Sequence, residues 1–523
     1  MSVDSVCVSR PARIRPVMTA AIVLPLLLLL WAWYELWVAY TITPAVQKNY
    51  GGMLREVAES WQDTSGSNGW DALVEAARLL EEHNDKYQYI DENENEWRWS
   101  DWGFGAITEP ELSKELAKSV RGSGLSAEEL EEHYGRARAW AVDTIHSLDE
   151  IGIAAQLRML SESGYALQSI PDSAADTQLN LLVNLSSTRK LGKCLLARMH
   201  LARDEADWDA YIESYQWILE ISRAMAHQPG AIHPMMATGV LAYGMQRVIE
   251  DLQSGVLPDD VVLALSEASG RVPDATQFRK VYDAERYVLL DMFQKLFGPG
   301  GRLIVTEYAK LVPFAEEEPW IKNVQGLWKP RWGHYEKQIH AYQDEVGRIL
   351  DLSFAEREPM RPETRTRGIA QRIADPQEDD QPLPMFDPTK SFAERFLDTD
   401  IAFRLADQEL RYELLRDGVV SLLAIERYRI ERGEYPSVLD DLVPGYLDAV
   451  PIDPCTPDAR PWVYRRHDEP DGEGRLYTLY SVGFDMQDDG GARPIAHYSS
   501  ALSRKYAGND YVLTHPPMPD EDD

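Results

Sequence analysis

DEADWDAYIESYQWILEISRAMA, residues 204–226, decides the fold class of this chain. Trp208, Tyr211, Tyr215, Ile218, Ser222 and Met225 recur in steps of three and four. That is one apolar stripe on a helix of 3.6-residue period. Gln228-Pro229-Gly230 stops it. Immediately downstream, Met236, Val240, Gly244, Val248 and Leu252 predict a second helix, which Gly255 ends. Pro258-Asp259-Asp260 and Pro273-Asp274 open two more, the latter carrying Phe278, Tyr282, Glu285, Leu289, Met292 and Leu296 and stopping at Gly298.

The same period extends upstream. Ser126 followed by Glu129 is a capping-box start for a helix through Ile145. Asp149–Ser163 and Thr177–Ala202 read as further helices, and Met53–Trp61 and Trp70–Glu82 as amphipathic ones. The chain is therefore expected to be mainly α. Helices joined by short Pro/Gly turns fit either stacked hairpins of tetratricopeptide-like form or an irregular bundle.

Composition divides the chain. Residues 45–353 carry the helical pattern. Residues 354–402, with EREPMRPETRTRG and DPQEDDQPLPMFDP, exchange apolar periodicity for proline and charge and are expected to form a linker. Residues 403–515 form a C-terminal module, and 516–523 an acidic, proline-rich tail expected to be disordered. The formal charge of −33 argues against sequence-independent nucleic-acid binding, because phosphate would be repelled. Three cysteines in 523 residues do not make a disulfide framework.

The C-terminal module begins with a long amphipathic helix, Phe403–Arg432. Leu410, Leu414, Leu415, Val419, Leu422, Leu423 and Ile425 supply its apolar face. Gly433 ends it. Ser437–Leu442 is a short helical turn, and Pro451-Ile452-Asp453-Pro454 a rigid loop. Trp462–Arg466 and Arg475–Val482 alternate as strands around a polar turn. Tyr498–Tyr511 is expected to add a last strand or helix.

In this order, helix, RGEYPSVLDDL, VPIDP, WVYRR and LYTLYSVGFDMQDDGG, the module resembles the C-terminal part of the major pseudopilin of the type II secretion system. The resemblance spans about 90 residues, Leu405–Gly491. It implies an α+β module whose acidic loop holds calcium, with Asp485 as the best-matched ligand and Asp488 as a second. Closely spaced carboxylates among glycines are hard oxygen donors on a sharp turn, which suits calcium. Two departures stand out: Met486 where the family has glycine, and Ala492-Arg493-Pro494 where further acids are usual. The family's filament-forming apolar helix is not placed before the module, so filament assembly is not expected. The whole layout resembles large membrane-anchored bacterial proteins of unknown function.

The membrane expectation rests on MTAAIVLPLLLLLWAWYELW, Met18–Trp37. About 20 apolar residues in a helix span a bilayer core. Trp31, Trp33, Tyr34 and Trp37 gather at one end, as interfacial rings do. Arg10, Arg13 and Arg15 precede the run, which predicts a cytoplasmic tail (1–17), a single-pass anchor (18–40) and a periplasmic remainder in a bacterial inner membrane. A cleaved secretory signal is the other reading. The run ends in bulky aromatics, where cleavage would need small residues.

No zincin, nucleophile-elbow, phosphate-loop or dinucleotide motif is present. Asp91–Gly105, DENENEWRWSDWGFG, mixes acids with aromatics. It reads either as a sugar platform with carboxylates for acid/base work, or as a loop pinned by its rings. Glu336 and His340 stand one turn apart, more in keeping with a surface pair than a metal site; His227 and His233 flank a turn; Cys194 sits among leucines as a small buried hydrophobe. The leading expectation is a non-enzymatic envelope protein, anchored in the membrane, whose helical body binds a protein partner. The alternatives are a carbohydrate-active hydrolase using 91–105 and an accessory component of a secretion system.

Overall fold

The computed structural model describes residues 30, 33–34, 44–85, 88–90, 96–98, 103–108, 127–172, 185–272, 276–302, 304, 331–361, 400–471, 474–491 and 510–514. It is mainly helical. In chain order its helices are α1 (Tyr50–Glu59), α2 (Trp70–Asp85), α3 (Gly105–Thr108), α4 (Ala127–His146), α5 (Leu148–Ile151), α6 (Ile153–Ser161), α7 (Leu185–Glu205), α8 (Trp208–Ala226), α9 (Ile232–Gln253), α10 (Asp259–Ser269), α11 (Thr276–Gln294), α12 (Trp332–Leu350), α13 (Phe354–Arg357) and α14 (Asp400–Arg432). A hairpin of β1 (Gln88–Ile90) and β2 (Glu96–Arg98) follows α2. A three-stranded antiparallel sheet, ordered β3 (Val463–Arg466), β4 (Tyr477–Ser481), β5 (Tyr511–Val512), lies near the C-terminus.

The helical breaks differ from the pattern in two places. Asp149–Ser163 is not one helix: Gly152, at φ +90°, separates α5 from α6, a left-handed conformation open to glycine at little steric cost. Asp204 does not open α8 either. It belongs to the last turn of α7, Ala206 turns left-handed at φ 56°, and the Asp207 carboxylate caps α8 by accepting from the Ala210 N–H at 3.1 Å.

Helices α7, α8 and α9 pack pairwise against one another, and α2 packs on α6 and α7. A buried polar cluster ties the three together. Asp251 on α9 is fully buried and accepts from Tyr211 Oη of α8 (2.7 Å), from Arg247 Nε (2.7 Å) and, at 3.5 Å, from Arg203 of α7. Burial without these partners would be strongly unfavourable for the carboxylate. At the other end, α1 packs on α11, and Tyr50 joins Phe293, Phe297 and Trp332 in a second core.

Helix α14 is not the one-faced amphipathic helix that its leucines suggest. Ala402, Phe403 and Leu405 pack against Tyr282, Tyr342 and Val346 of the body, while Leu410, Tyr412, Leu414, Leu415, Val419, Leu422 and Ile425 join one continuous core. That core runs from Trp70 through α7–α10 to Trp462, Leu479 and Leu513. A helix apolar on several sides is buried on several sides. It contacts α9, α10, α12 and β4. At Gly418 the approach is so close that a Cβ would stand 2.5 Å from Leu513 and 2.9 Å from Trp462.

The expected linker starts otherwise than as extended chain. Phe354–Arg357 form a helical turn with a capping box between Ser353 and Glu356, followed by a 3-10 turn, Glu358–Met360. Residues 362–399 lie outside the described residues, as do 516–523 and most of 498–511. Among the described residues no helix is long and apolar enough to cross a membrane. The stretch Met18–Trp37 lies outside them, apart from Leu30, Trp33 and Tyr34, which are helical and exposed.

Candidate cation-binding loop and the cleft beside it

Strand β4 is buried along its whole length and delivers the chain into the acidic loop, residues 481–491. The loop is anchored from below by Asp453, in the VPIDP segment. That carboxylate is fully buried and accepts from Cys455 N–H (2.9 Å), Ser481 Oγ–H (2.8 Å) and Val482 N–H (2.9 Å). Burial pushes its pKa up, against the downward pull of these three donors.

Asp485 and Asp488, the two residues singled out in the sequence, do separate work here. Asp485 Oδ1 accepts from Gln487 N–H at 3.0 Å and closes a local turn. Met486 follows at φ 62°, a left-handed position that glycine, the family's usual residue there, adopts without steric conflict. Asp488 Oδ1 accepts from Tyr480 Oη–H (2.8 Å) and from Gly490 N–H (2.9 Å), and Arg465 stands 3.7 Å from Oδ2. The Tyr480 bond, then the Gly490 N–H and Arg465, hold the Asp488 carboxyl below its ordinary range.

A third carboxylate enters that sequence reasoning missed. Asp510, almost fully buried, accepts from Asp489 N–H (3.3 Å) and Gly491 N–H (2.7 Å). Burial pushes its pKa up to about 6, and the neighbouring Asp488 and Asp489 add to the effect. The available signal was the short apolar run Tyr511-Val512-Leu513 after it, which pairs as β5 and brings Asp510 under the loop. Among the described residues no three acidic, histidine or cysteine side chains converge into a metal site. Asp485 is engaged by the Gln487 N–H, Asp488 by Tyr480 and Arg465, and Asp510 by the Asp489 and Gly491 N–H groups, so they do not close a coordination sphere by themselves.

Beside the sheet, a cleft of ≈200 Å³ separates the body from the module. Its walls include Leu252 and Gln253 of α9, Leu422 and Glu426 of α14, Tyr435, Leu476, Tyr477 and Thr514. Glu426 Oε1 accepts from Tyr477 Oη (2.9 Å) and Tyr435 Oη (3.3 Å), and its other oxygen from Arg429 (2.7 Å). Leu476 is exposed at the rim.

Glu336 accepts from Tyr50 Oη at 2.8 Å and pairs with Lys48, fastening the segment before α1 to α12. His227 ends α8 with Nδ1 2.8 Å from the Arg223 carbonyl, and burial holds its pKa down. His233 is fully buried at the start of α9. Cys194 is fully buried and its thiol is pushed up to about 12, away from nucleophilic character. Of the 91–105 cluster, Trp97 pairs with Tyr89 across the hairpin, while 91–95 and 99–102 lie outside the described residues.

No protein-family model, no curated protein and no solved structure matches the chain.

Proposed function

We propose that this chain is a single-pass, membrane-anchored protein of the bacterial envelope, non-enzymatic, whose helical body and C-terminal module together receive a protein partner. The observation that carries this reading is the apolar run Met18–Trp37 behind Arg10, Arg13 and Arg15. It puts the folded mass on the periplasmic side. The body–module cleft, with apolar Leu252, Leu422 and Leu476 around a hydrogen-bonded Glu426, supports a docking role for that mass. The module's likeness to the major pseudopilin supports calcium at the acidic loop, with Asp485, Asp488 and the newly placed Asp510 as acidic donors. Calcium there would neutralise the Asp510 carboxylate, whose charged form burial and the neighbouring Asp488 and Asp489 disfavour.

Photo-crosslinking in intact envelopes tests the docking role. A photoreactive residue at Leu476 of the full-length chain is expected to give one discrete protein adduct, and the same residue at exposed Met159 of α6 none. Equal adducts at both positions, or none at Leu476, would remove the partner-binding reading.

A further inference from the structure

Glu409 and Glu413 lie one turn apart on α14, both half-buried, and among the described residues neither accepts a hydrogen bond or makes an ion pair. They stand at the seam where α14 meets α11, the end of α12 and the α13 turn. We propose that this carboxylate pair is a pH-dependent latch between α14 and the helical body: uncharged, it seats the helix; ionised, it loosens it.

The geometry is that of a seam built for neutral acids. Glu409 borders a void of ≈10 Å³ with Tyr282, Leu405 and Leu350. The Tyr282 hydroxyl is buried there and unbonded. The nearby cation, Arg357 of α13, is itself almost fully buried; its Nε has no partner and its Nη1 is given to the Leu352 carbonyl at 3.3 Å. It attracts both carboxylates without pairing with either. The other cations are committed. Arg279 of α11 is bound by Asp283 and Asp351, Arg361 by Glu358 and Asp407, and Arg416 by Asp417 and the Val272 carbonyl. At the start of α9 the void meets Pro234 and, just before the helix, Ala231. The loop carrying Cys455 presents a buried thiol to Glu413, and half-buried Glu285 of α11 is held by the Ala231 N–H. A second ionised carboxylate one turn away therefore meets repulsion with little compensation.

Burial, countered mainly by Arg357, pushes Glu409 up to about 7; burial with Glu409 and Asp417 pushes Glu413 up to about 8. A carboxyl raised in the folded state binds protons that the unfolded chain has released. Folding is then most favoured on the acid side, and stability falls as pH rises from the unfolded value toward the folded one. Half-buried His200 and His227, whose folded values are lowered, give the opposite slope, but only below their ordinary value of 6.5. Asp510 titrates near about 6. The interval from about pH 6.5 to about 8.5 is thus left chiefly to the pair.

The test is thermal melting of the full chain across that interval, for the wild type and for the Glu409→Gln/Glu413→Gln double variant. Gln keeps the shape of the uncharged acid. The wild type is expected to lose several degrees of Tm as pH rises, and the double variant to stay flat and above the wild type throughout. Hydrogen exchange on the wild type adds a local readout. Beyond the intrinsic pH effect, protection should drop in the first half of α14 and in 351–361, and not in α8. A wild-type Tm flat over the interval, a double variant with the wild type's slope or unfolded at its acid end, or loss of protection spread evenly through α8 would each overturn the latch.

Discussion

Replacing Asp453 should be among the most damaging single changes in the C-terminal module. Its carboxylate is the acceptor for two backbone N–H groups and one hydroxyl, all at 2.8–2.9 Å and all buried. Asp453→Ala strands those donors where water does not reach. Each buried, unsatisfied donor costs about 1–3 kcal/mol. The Ser481 hydroxyl can rotate away, but Cys455 N–H and Val482 N–H cannot, so the loss should be about 3–5 kcal/mol. Asp453→Asn keeps the shape and one acceptor but turns an amide against a donor, for about 1–3 kcal/mol. Urea unfolding, followed by tryptophan fluorescence and far-UV circular dichroism, measures both. Trp462 is buried on the same core as α14, so the two signals should move together. A loss below about 1 kcal/mol for Asp453→Ala would refute the assignment of this carboxylate as the loop's anchor.

Three further outcomes follow from the packing and the loop. Gly418→Ala forces a methyl into Leu513 and Trp462 and should destabilise by about 1–3 kcal/mol in the same urea assay, whereas an unchanged midpoint would mean α14 does not close on the sheet. Asp251→Ala leaves Arg247 and Tyr211 buried without their acceptor and should cost about 3–5 kcal/mol by thermal melting. Calcium at 100 times its dissociation constant should raise stability by about 2.7 kcal/mol over chelator, and Asp488→Ala or Asp510→Ala should abolish that gain. Identical melting with calcium and with chelator would remove the metal from the loop.

Long helices were legible because their stripes repeat: α8, α9 and α10 start and stop within a few residues of where Trp208, Pro229, Gly255 and Pro258 put them. The breaks at Gly152 and Ala206 were not, since a single left-handed residue leaves the apolar period almost intact. The docking of α14 was hidden for a different reason. Leu410 through Ile425 look like one face when drawn against a small sheet, yet Phe403, Leu405 and Tyr412 need partners that only the body supplies. Asp485 and Asp488 could be found because they are neighbours in sequence; Asp510 is 22 positions beyond Asp488 and reaches the loop only through β5 pairing. The raised acids Glu409 and Glu413 were invisible as well, because on sequence alone an i, i+4 pair of glutamates reads as solvated surface.

Protease access in spheroplasts tests the proposed membrane anchor of Met18–Trp37. With the full-length chain in the membrane fraction, resistant to high salt and alkaline carbonate, external protease should digest the mass after residue 44 and leave a small membrane-held N-terminal fragment. A soluble chain lacking its first forty-odd residues, or a full-length chain that stays protected until the inner membrane is broken, would contradict the account.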